Sequence, residues 1–134
     1  MFEEMGYKKE PMPDFSSRYP GRLESCLEQP FSKFGGTIFY RGVLKKAVAL
    51  FYFCIKDHPF ENGNKRFAVA IFMYFLIKNG YWLTISPDAL YRIAKVIADT
   101  ESSVVDQREG MAILYKAFKP SFSKHNLPLK DLPK

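Results

Sequence analysis

The segment from Phe67 to Ile77 most constrains the fold, because every residue in it is apolar or aromatic. The run falls short of the ~18 to 20 residues that a bilayer span requires. It is followed by Asn79-Gly80, a pair typical of the left-handed stop of an α-helix. A helix without a polar face needs cover from neighbouring elements on every side. The segment therefore predicts a buried helix over 64–79 at the centre of a helical bundle.

Helical periodicity predicts further helices around this one. The polar residues between Arg41 and Lys56 fall mostly on one side, which indicates a mostly buried helix. Ser86-Pro87 offers an N-cap with a first-turn proline, and Ser103 with Asp106 resembles a capping box. The fold class predicted from this pattern is all-α. Its outer helices are expected at Arg22 to Gln29, at Arg41 to Lys56, from Pro87 through Ile97, and from Ser103 through Phe118.

The remaining segments predict one short extended unit and two irregular ends. Prolines scattered through 1–20 indicate an irregular lead-in. Two short extended stretches lie between Phe31 and Tyr40 around Gly35-Gly36, a pattern typical of a hairpin or flap. The stretch from Pro120 to Lys134 is expected to be a loose tail. The length of the chain predicts a single domain over 1–134.

The net charge and the two cysteines limit the types of partner and the cellular compartment to be expected. The net charge of +6 favours anionic partners without choosing among nucleotides, nucleic acid, acidic proteins and anionic membrane. Cys26 and Cys54 form no CxxC pair, so buried thiols in a reducing compartment are the simplest interpretation. The first residues are acidic where a signal peptide is basic. We therefore expect a soluble, cytoplasmic protein.

A polar loop from His58 to Arg66 separates the two most apolar helices. Pro59 ends the first helix and Gly63 permits a tight bend, so the loop delivers its groups to the N-terminus of the next helix. Backbone N–H groups and the positive end of the helix dipole form an anion site there, strengthened by the cations Lys65 and Arg66. Histidine readily exchanges a proton near neutral pH. The loop therefore predicts an anion site with a general base, His58, beside it.

This loop resembles the signature of Fic and death-on-curing (Doc) proteins, HxFx(D/E)GN(G/K)R. It reads His58-Pro59-Phe60-Glu61-Asn62-Gly63-Asn64-Lys65-Arg66. The likeness continues at Gly21 to Ser25, at Phe34 to Gly36 and at Asn79 to Tyr81, over roughly residues 18 to 118. Val69 stands where other Fic enzymes have a second arginine, so the chain looks more like the Doc branch. The resemblance implies a compact helical bundle of the Fic/Doc type around a central buried helix, with a flap before the motif.

The resemblance also implies a role for each motif residue. His58 would accept the proton of a Ser, Thr or Tyr hydroxyl on a target protein, and Phe60 would anchor the loop in the core. The flap from Phe31 to Tyr40 would dock an extended target segment by strand addition. Nucleotide phosphates would be held by Gly63, Asn64, Lys65 and Arg66, and the target by the flap residues Phe34, Gly35, Gly36 and Thr37.

One position departs from the family's pattern. Relatives have an acidic metal ligand four places after the histidine, and here that place holds Asn62, with Glu61 one residue earlier. An amide oxygen ligates Mg²⁺ without supplying charge, whereas Mg²⁺ sites are normally built on one or two carboxylates and substrate phosphates. The metal ligand is therefore expected to be Asn62 or, if the loop shifts, Glu61.

ATP and Mg²⁺ are the cofactors that the resemblance implies. Similar Fic proteins transfer AMP, whereas the Doc toxin transfers the γ-phosphoryl group to a translation elongation factor and is silenced by an antitoxin. We therefore expect a Doc-like toxin or regulator that phosphorylates a hydroxyl of a target protein, with an antitoxin as a further partner and no membrane partner.

Three classes of function remain open. A transferase that modifies protein hydroxyls is supported by His58 and the anion loop. A catalytically weakened interaction module that keeps the fold for a partner is supported by Asn62. Nucleic-acid binding rests on the net charge alone. Within the first class, AMP transfer is the alternative to phosphoryl transfer.

Overall fold

The computed structural model describes residues 12–19, 21–34, 36–38, 40–100 and 104–124. The predicted all-α class is confirmed. The helices are α1 (Arg22–Glu28), α2 (Val43–Lys56), α3 (Asn64–Lys78), α4 (Pro87–Asp99) and α5 (Val104–Phe118). The short strands are β1 (Lys33–Phe34), β2 (Thr37–Ile38), β3 (Tyr81–Leu83) and β4 (Phe122–Lys124).

The central helix of the bundle is α2 rather than α3, which corrects the prediction drawn from the apolar run. Every residue of α2 from Ala47 to Ile55 is buried, and this helix contacts α1, α3, α4 and α5. In α3, by contrast, Tyr74 is 59% exposed. Helical periodicity did not show which of the two helices is central, because both are apolar on most sides. Which one is more buried depends on the neighbouring elements that cover it.

Three phenylalanine rings join the helices at the centre of the core. The rings of Phe51 in α2 and Phe72 in α3 have centroids 5.1 Å apart. Phe118 of α5 lies 5.5 Å from Phe72 and 6.4 Å from Phe51. All three side chains are fully buried. Offset and edge-on ring pairs of this kind stabilise a core beyond the area that they bury. The rings therefore hold α2, and with it the start of the loop that follows, against α3 and α5.

The described residues contain two small antiparallel pairs of strands, of which the sequence predicted one. Strands β1 and β2 pair antiparallel across Gly35-Gly36, in agreement with the expected flap. Strands β3 and β4 also pair antiparallel, and the rings of Tyr81 and Phe122 stack with centroids 4.6 Å apart. The prediction of a loose tail from Pro120 is therefore wrong for Phe122–Lys124, and 125–134 lie outside the described residues.

The helix ends follow the sequence signals where the structure describes them. The Ser86 hydroxyl accepts a hydrogen bond from Ala89 N at 3.1 Å and caps α4. Gly80 has a φ of 84° just after α3, the left-handed stop expected there. The predicted capping Ser103 lies outside the described residues. None of the described helices has the length and apolar character needed to cross a membrane.

Candidate active site

The candidate site begins where α2 ends. Asp57 caps the helix, and its N–H donates to Phe53 O at 2.9 Å. His58 follows with a φ of 46°, the only positive φ at a described residue other than glycine. A left-handed residue just after the C-cap is a common helix ending, but glycine or asparagine usually occupies it. The backbone thus turns sharply at the exposed His58, which is the first residue of the loop.

Asn64, the first residue of α3, holds the loop closed with its side-chain amide. Phe60 N donates to Asn64 Oδ1 at 2.9 Å, and Asn64 Nδ2 donates to Phe60 O at 3.0 Å. Asn64 is only 7% exposed. A buried amide that satisfies both backbone groups of one residue fixes the loop strongly, because losing it would leave those groups unsatisfied.

The side-chain amide of Asn64 also approaches His58, the candidate general base. Asn64 Nδ2 lies 3.5 Å from His58 Nδ1, at the outer limit of a hydrogen bond. Since the bonds to Phe60 fix the amide orientation, this contact presents a donor to the ring. The tautomer that accepts it carries its proton on Nε2. For Nε2 to accept a proton from a substrate, the proton must sit on Nδ1 and this long contact must open.

Phe60 and the lead-in hold the loop from two further sides. The Phe60 side chain is 4% exposed, and its ring contacts that of Phe67 with centroids 5.0 Å apart. Tyr19 N donates to Pro59 O at 2.8 Å, and Glu61 N donates to Ser17 O at 3.2 Å. The lead-in thus runs antiparallel to the loop, with one isolated β-bridge from Arg18 to Phe60. This support was not predicted, because the lead-in carries no strand pattern.

The loop residues come together around one small cleft. Its volume is about 210 Å³, below the ~300 Å³ at the lower end of sites that hold whole drug-sized ligands. A cleft of this size accommodates phosphate groups and leaves a nucleoside outside it. It is lined by His58, Glu61, Asn62, Gly63, Asn64 and Lys65, with Ile55 of α2 and Ala98 of α4 as apolar walls.

The first turn of α3 carries two cations, of which Lys65 lines this cleft and Arg66 does not. Gly63 has a φ of 78° and forms the N-cap, and its carbonyl accepts from Phe67 N at 2.9 Å. The N–H groups of the first helical turn lie outside the i to i−4 ladder, and the helix dipole is positive at this end. Lys65 and Arg66 occupy that turn, which contains no acidic residue. The arrangement therefore favours an anion.

The oxygen donors for a metal ion are limited. Glu61 and Asn62 are both exposed and both line the cleft. Within the described part of the chain, no group of three or more His, Cys, Asp and Glu residues could hold a metal on its own. One carboxylate and one amide oxygen nevertheless fit Mg²⁺, because this ion keeps several waters and takes its remaining ligands from substrate phosphates.

Asp57 is a neighbour of the site that the sequence interpretation missed. Burial raises the pKa of its carboxyl, and this effect outweighs a 2.9 Å hydrogen bond from Gln29 Nε2 and the charges of Arg22 and His58. Gln29 belongs to the short 3₁₀ turn after α1. The end of α2 is therefore tied to α1 by one polar contact beside His58. A single acidic residue at a helix end carries no sequence signal for such a contact.

The predicted docking flap lies outside the cleft lining. Phe34 pairs with Thr37, and Lys33 with Ile38, across the turn in which Gly36 has a φ of 83°. Gly35 lies outside the described residues. The β1–β2 sheet has two strands, so each has an outer edge that pairs with no other described strand. Such an edge accepts an added strand.

A comparison with protein families shows to which family the chain belongs. A family model described as the Fic/DOC family matches residues 1–76. This is more than half of the chain, and it contains α1, the flap, α2 and the whole loop from His58 to Arg66. The protein belongs to the Fic/DOC family. Neither the curated proteins nor the solved structures gave a match. Members of this family are in general transferases that act on proteins.

Proposed function

We propose that the protein transfers the γ-phosphoryl group of ATP to a hydroxyl side chain of a target protein, as a Doc-like toxin or regulator. One observation carries the proposal: His58 and Lys65, a cation of the first turn of α3, line the same phosphate-sized cleft. A proton acceptor beside an anion site is the minimum that phosphoryl transfer requires, since catalysis there is mostly positioning and charge stabilisation.

In the proposed step, one bond to the γ-phosphorus forms and one breaks. The target hydroxyl oxygen forms a bond to the γ-phosphorus, the bond from that phosphorus to the bridging oxygen of ADP breaks, and His58 accepts the hydroxyl proton. Lys65, Arg66 and the N–H groups of the first turn of α3 hold the phosphates during the transfer. Mg²⁺, held by Glu61 or Asn62, would supply charge neutralisation between phosphates.

Lys65 is the reason for preferring phosphoryl over AMP transfer. AMP-transferring relatives have glycine at this place in the motif, where the lysine side chain now lines the cleft. A bulky cation takes the clearance that those enzymes use around the phosphates. The altered cradle favours an orientation in which the γ-phosphate, not the α-phosphate, meets the hydroxyl beside His58.

The partners follow from the same proposal. The target would present an extended segment to the edge of the β1–β2 flap, which would add it as a third strand. A translation factor is the expected type of target, in the cytoplasm, and an antitoxin would silence the activity.

Transfer of a radioactive label tests the proposal. The protein is incubated with host lysate, Mg²⁺ and ATP labelled at either the α- or the γ-phosphate. We expect γ-label on a protein band, lost in His58→Ala. We also expect Arg66→Ala to weaken nucleotide binding by about 1.5 to 3 kcal/mol in calorimetry, the scale of a charge-assisted hydrogen bond. An α-label would establish AMP transfer instead.

Asn62 favours a second candidate, an interaction module of the same fold with weakened catalysis. If the missing carboxylate limits metal binding, Asn62→Asp should lower the Mg²⁺ concentration for half-maximal transfer, and Glu61→Ala should change it little. The reverse result would make Glu61 the ligand. No transfer of either label by the wild type or by Asn62→Asp, at any Mg²⁺ concentration, would support the interaction module.

A further inference from the structure

A second cavity lies between the first half of α2 and the second half of α5, and we call it the α2/α5 cavity. Its volume is about 570 Å³, within the ~300 to 1,000 Å³ typical of small-molecule sites. Val48 and Met111 form its floor and are buried. The side chains of Tyr40 and Tyr115 line it as well. The cavity therefore offers an apolar and aromatic surface large enough for a small molecule.

The rim of the α2/α5 cavity is cationic. Lys45, Lys116 and Lys119 line it and are exposed, and none of the described lining residues is acidic. The Nζ atoms of Lys45 and Lys119 lie 5.1 Å and 5.6 Å from the centroid of the same ring, that of Tyr115. Each cation is attracted to the face of the ring, but two cations held at one ring also repel each other, in a chain whose net charge is +6. An anion at this point would relieve that repulsion.

A fourth positive charge lies near the other aromatic wall. Burial raises the pKa of Tyr40, and the charge of Arg108 opposes that shift, so this guanidinium lies within electrostatic reach of the phenol. The Tyr40 carbonyl also accepts from Lys46 Nζ at 2.7 Å, which fixes the start of α2 against this wall. The Tyr40 wall is thus held against the start of α2, and a positive charge lies close to it.

The α2/α5 cavity is distinct from the cleft around His58. Lys45 and Val48 lie in the first half of α2, whereas His58 follows its last residue, Lys56. With a rise of about 1.5 Å per residue, this separation along the helix is roughly 15 Å. A ligand in the α2/α5 cavity would therefore lie apart from the site of the proposed transfer reaction.

We propose that the α2/α5 cavity binds an amphipathic anion of small-molecule size, with an apolar or aromatic body and one carboxylate, sulfonate or phosphate group. The body would lie on Val48, Met111 and the tyrosine rings, and the anionic group would lie among the lysines. The lysines converge on one ring rather than forming a stripe. This geometry suits a single anionic head group better than the spread charge of an acidic protein segment.

A pair of dyes that differ in charge tests the proposal. The anion 8-anilinonaphthalene-1-sulfonate and its neutral analogue N-phenyl-1-naphthylamine share the same ring system. We expect the anion to bind the folded protein with one site per chain, and at least about tenfold more tightly than the neutral analogue, in titrations followed by fluorescence and calorimetry. Equal affinity for the two dyes would overturn the proposal, because the cationic rim would then contribute nothing.

Filling the cavity locates the binding. Ala112 lines it at an exposed position of α5, so Ala112→Trp fills the space without disturbing the core. Circular dichroism and the thermal midpoint check that the variant folds. We expect at least about tenfold weaker binding of the sulfonate dye. Unchanged affinity in the folded variant would place the dye elsewhere and overturn the proposal.

A matched pair of charge reversals separates the rim from the overall charge. Lys116→Glu with Lys119→Glu removes two rim cations, whereas Lys78→Glu with Lys95→Glu makes the same change of net charge at exposed lysines of α3 and α4. We expect at least about tenfold weakening in the first pair and less than about twofold in the second. Equal weakening in both would overturn the proposal. So would a dimer in sedimentation that Ala112→Trp converts to monomer, since a second copy would then occupy the cavity.

Discussion

His58 combines a demanding backbone position with a proposed chemical role. Its φ of 46° belongs to the left-handed region, which costs a residue with a side chain roughly 1 to 2 kcal/mol relative to the right-handed one. Glycine would occupy this place after the C-cap of α2 without that cost. Strain that persists at a residue facing a cleft is typical of functional sites. The backbone conformation therefore supports the role that the motif implies for His58.

The left-handed strain at His58 predicts that His58→Gly is more stable than His58→Ala although both variants are inactive. His58→Gly should unfold in urea with a free energy about 1 kcal/mol higher than that of His58→Ala, because alanine keeps the left-handed strain and glycine does not. His58→Ala is the matched control, since both variants lack the imidazole and its contact with Asn64. Neither variant should transfer label from ATP. Equal unfolding free energies would mean that the left-handed turn at His58 carries no strain.

At the residue scale, the sequence predicted which side chains meet but not how they are held. Of the loop residues, one cleft is lined by His58, Glu61, Asn62, Gly63, Asn64 and Lys65, whereas the predicted phosphate ligand Arg66 is not part of its lining. The contacts of Asn64 were not predicted, because an asparagine at a helix start is equally suited to hold a phosphate or the preceding loop. Its side-chain amide bonds to both backbone groups of Phe60 and makes a long contact with His58. The phosphate role of Asn64 therefore stays a prediction.

At the scale of elements, α1 and the 3₁₀ turn after it contact the end of α2 through a polar pair and a sulfur pair. Gln29 Nε2 donates to Asp57 Oδ2 at 2.9 Å, and the Sγ atoms of Cys26 and Cys54 lie 3.4 Å apart in the core. The hydrogen bond with Cys26, then burial, raise the pKa of the Cys54 thiol. The Cys54 thiol thus remains protonated, and both buried side chains serve as packing groups. The pair fixes the helix end from which His58 projects.

The raised pKa of Asp57 predicts a pH dependence of stability. Burial makes the folded state bind this proton more tightly than the unfolded state, whose carboxyl has its ordinary pKa of about 3.8. The Asp57 contribution to the unfolding free energy is therefore highest at low pH and falls as the pH rises from there through the folded-state pKa. Asp57→Asn keeps an oxygen for Gln29 and lacks this loss.

Urea unfolding at a series of pH values measures the effect. The unfolding free energy of Asp57→Asn minus that of the wild type should increase as the pH rises above about 3.8 and then level off. Glu24→Gln on the exposed side of α1 is the control for removing one negative charge from a cationic chain. A difference that decreases over this range would contradict the burial of Asp57.

The elements that the sequence predicted are those with local signals. The glycine pair predicted the β1–β2 flap, and Ser86-Pro87 predicted the start of α4. The β3–β4 pair was missed because its strands are three residues long and are separated in the sequence by α4 and α5. Pairing over such a distance leaves no local pattern, and the prolines around it had indicated a loose end.

At the scale of the whole molecule, the loop around His58 depends on two parts of the chain that are distant in sequence. The lead-in contributes Ser17 and Tyr19, whose backbone groups bond to Glu61 and Pro59. The end of α4 contributes Thr100, whose carbonyl and hydroxyl accept from Lys56 Nζ at the last turn of α2. The family match begins at residue 1, so it includes the lead-in. The lead-in is therefore a structural component of the site.

Two truncations test the dependence on the lead-in. A chain that begins at Gly21 loses the Tyr19-to-Pro59 and Glu61-to-Ser17 hydrogen bonds, whereas a chain that begins at Met12 keeps them. Each such bond contributes about 0.5 to 1.5 kcal/mol, so the opening of the loop should become about 1 to 3 kcal/mol easier in the shorter chain. Hydrogen exchange at the Glu61 amide should then be roughly 5-fold to 150-fold faster than in the longer chain.

The comparison between the two truncations isolates residues 12–20, because both chains lack 1–11. Label transfer should fall in the chain that begins at Gly21, since His58 and the first turn of α3 keep their relative positions only while the loop stays closed. Exchange at an amide in the middle of α2, such as that of Phe51, should be equal in both chains because the core is unchanged. Equal exchange at Glu61 in both chains would show that Asn64 and Phe60 alone hold the loop, and the lead-in would have no part in the site.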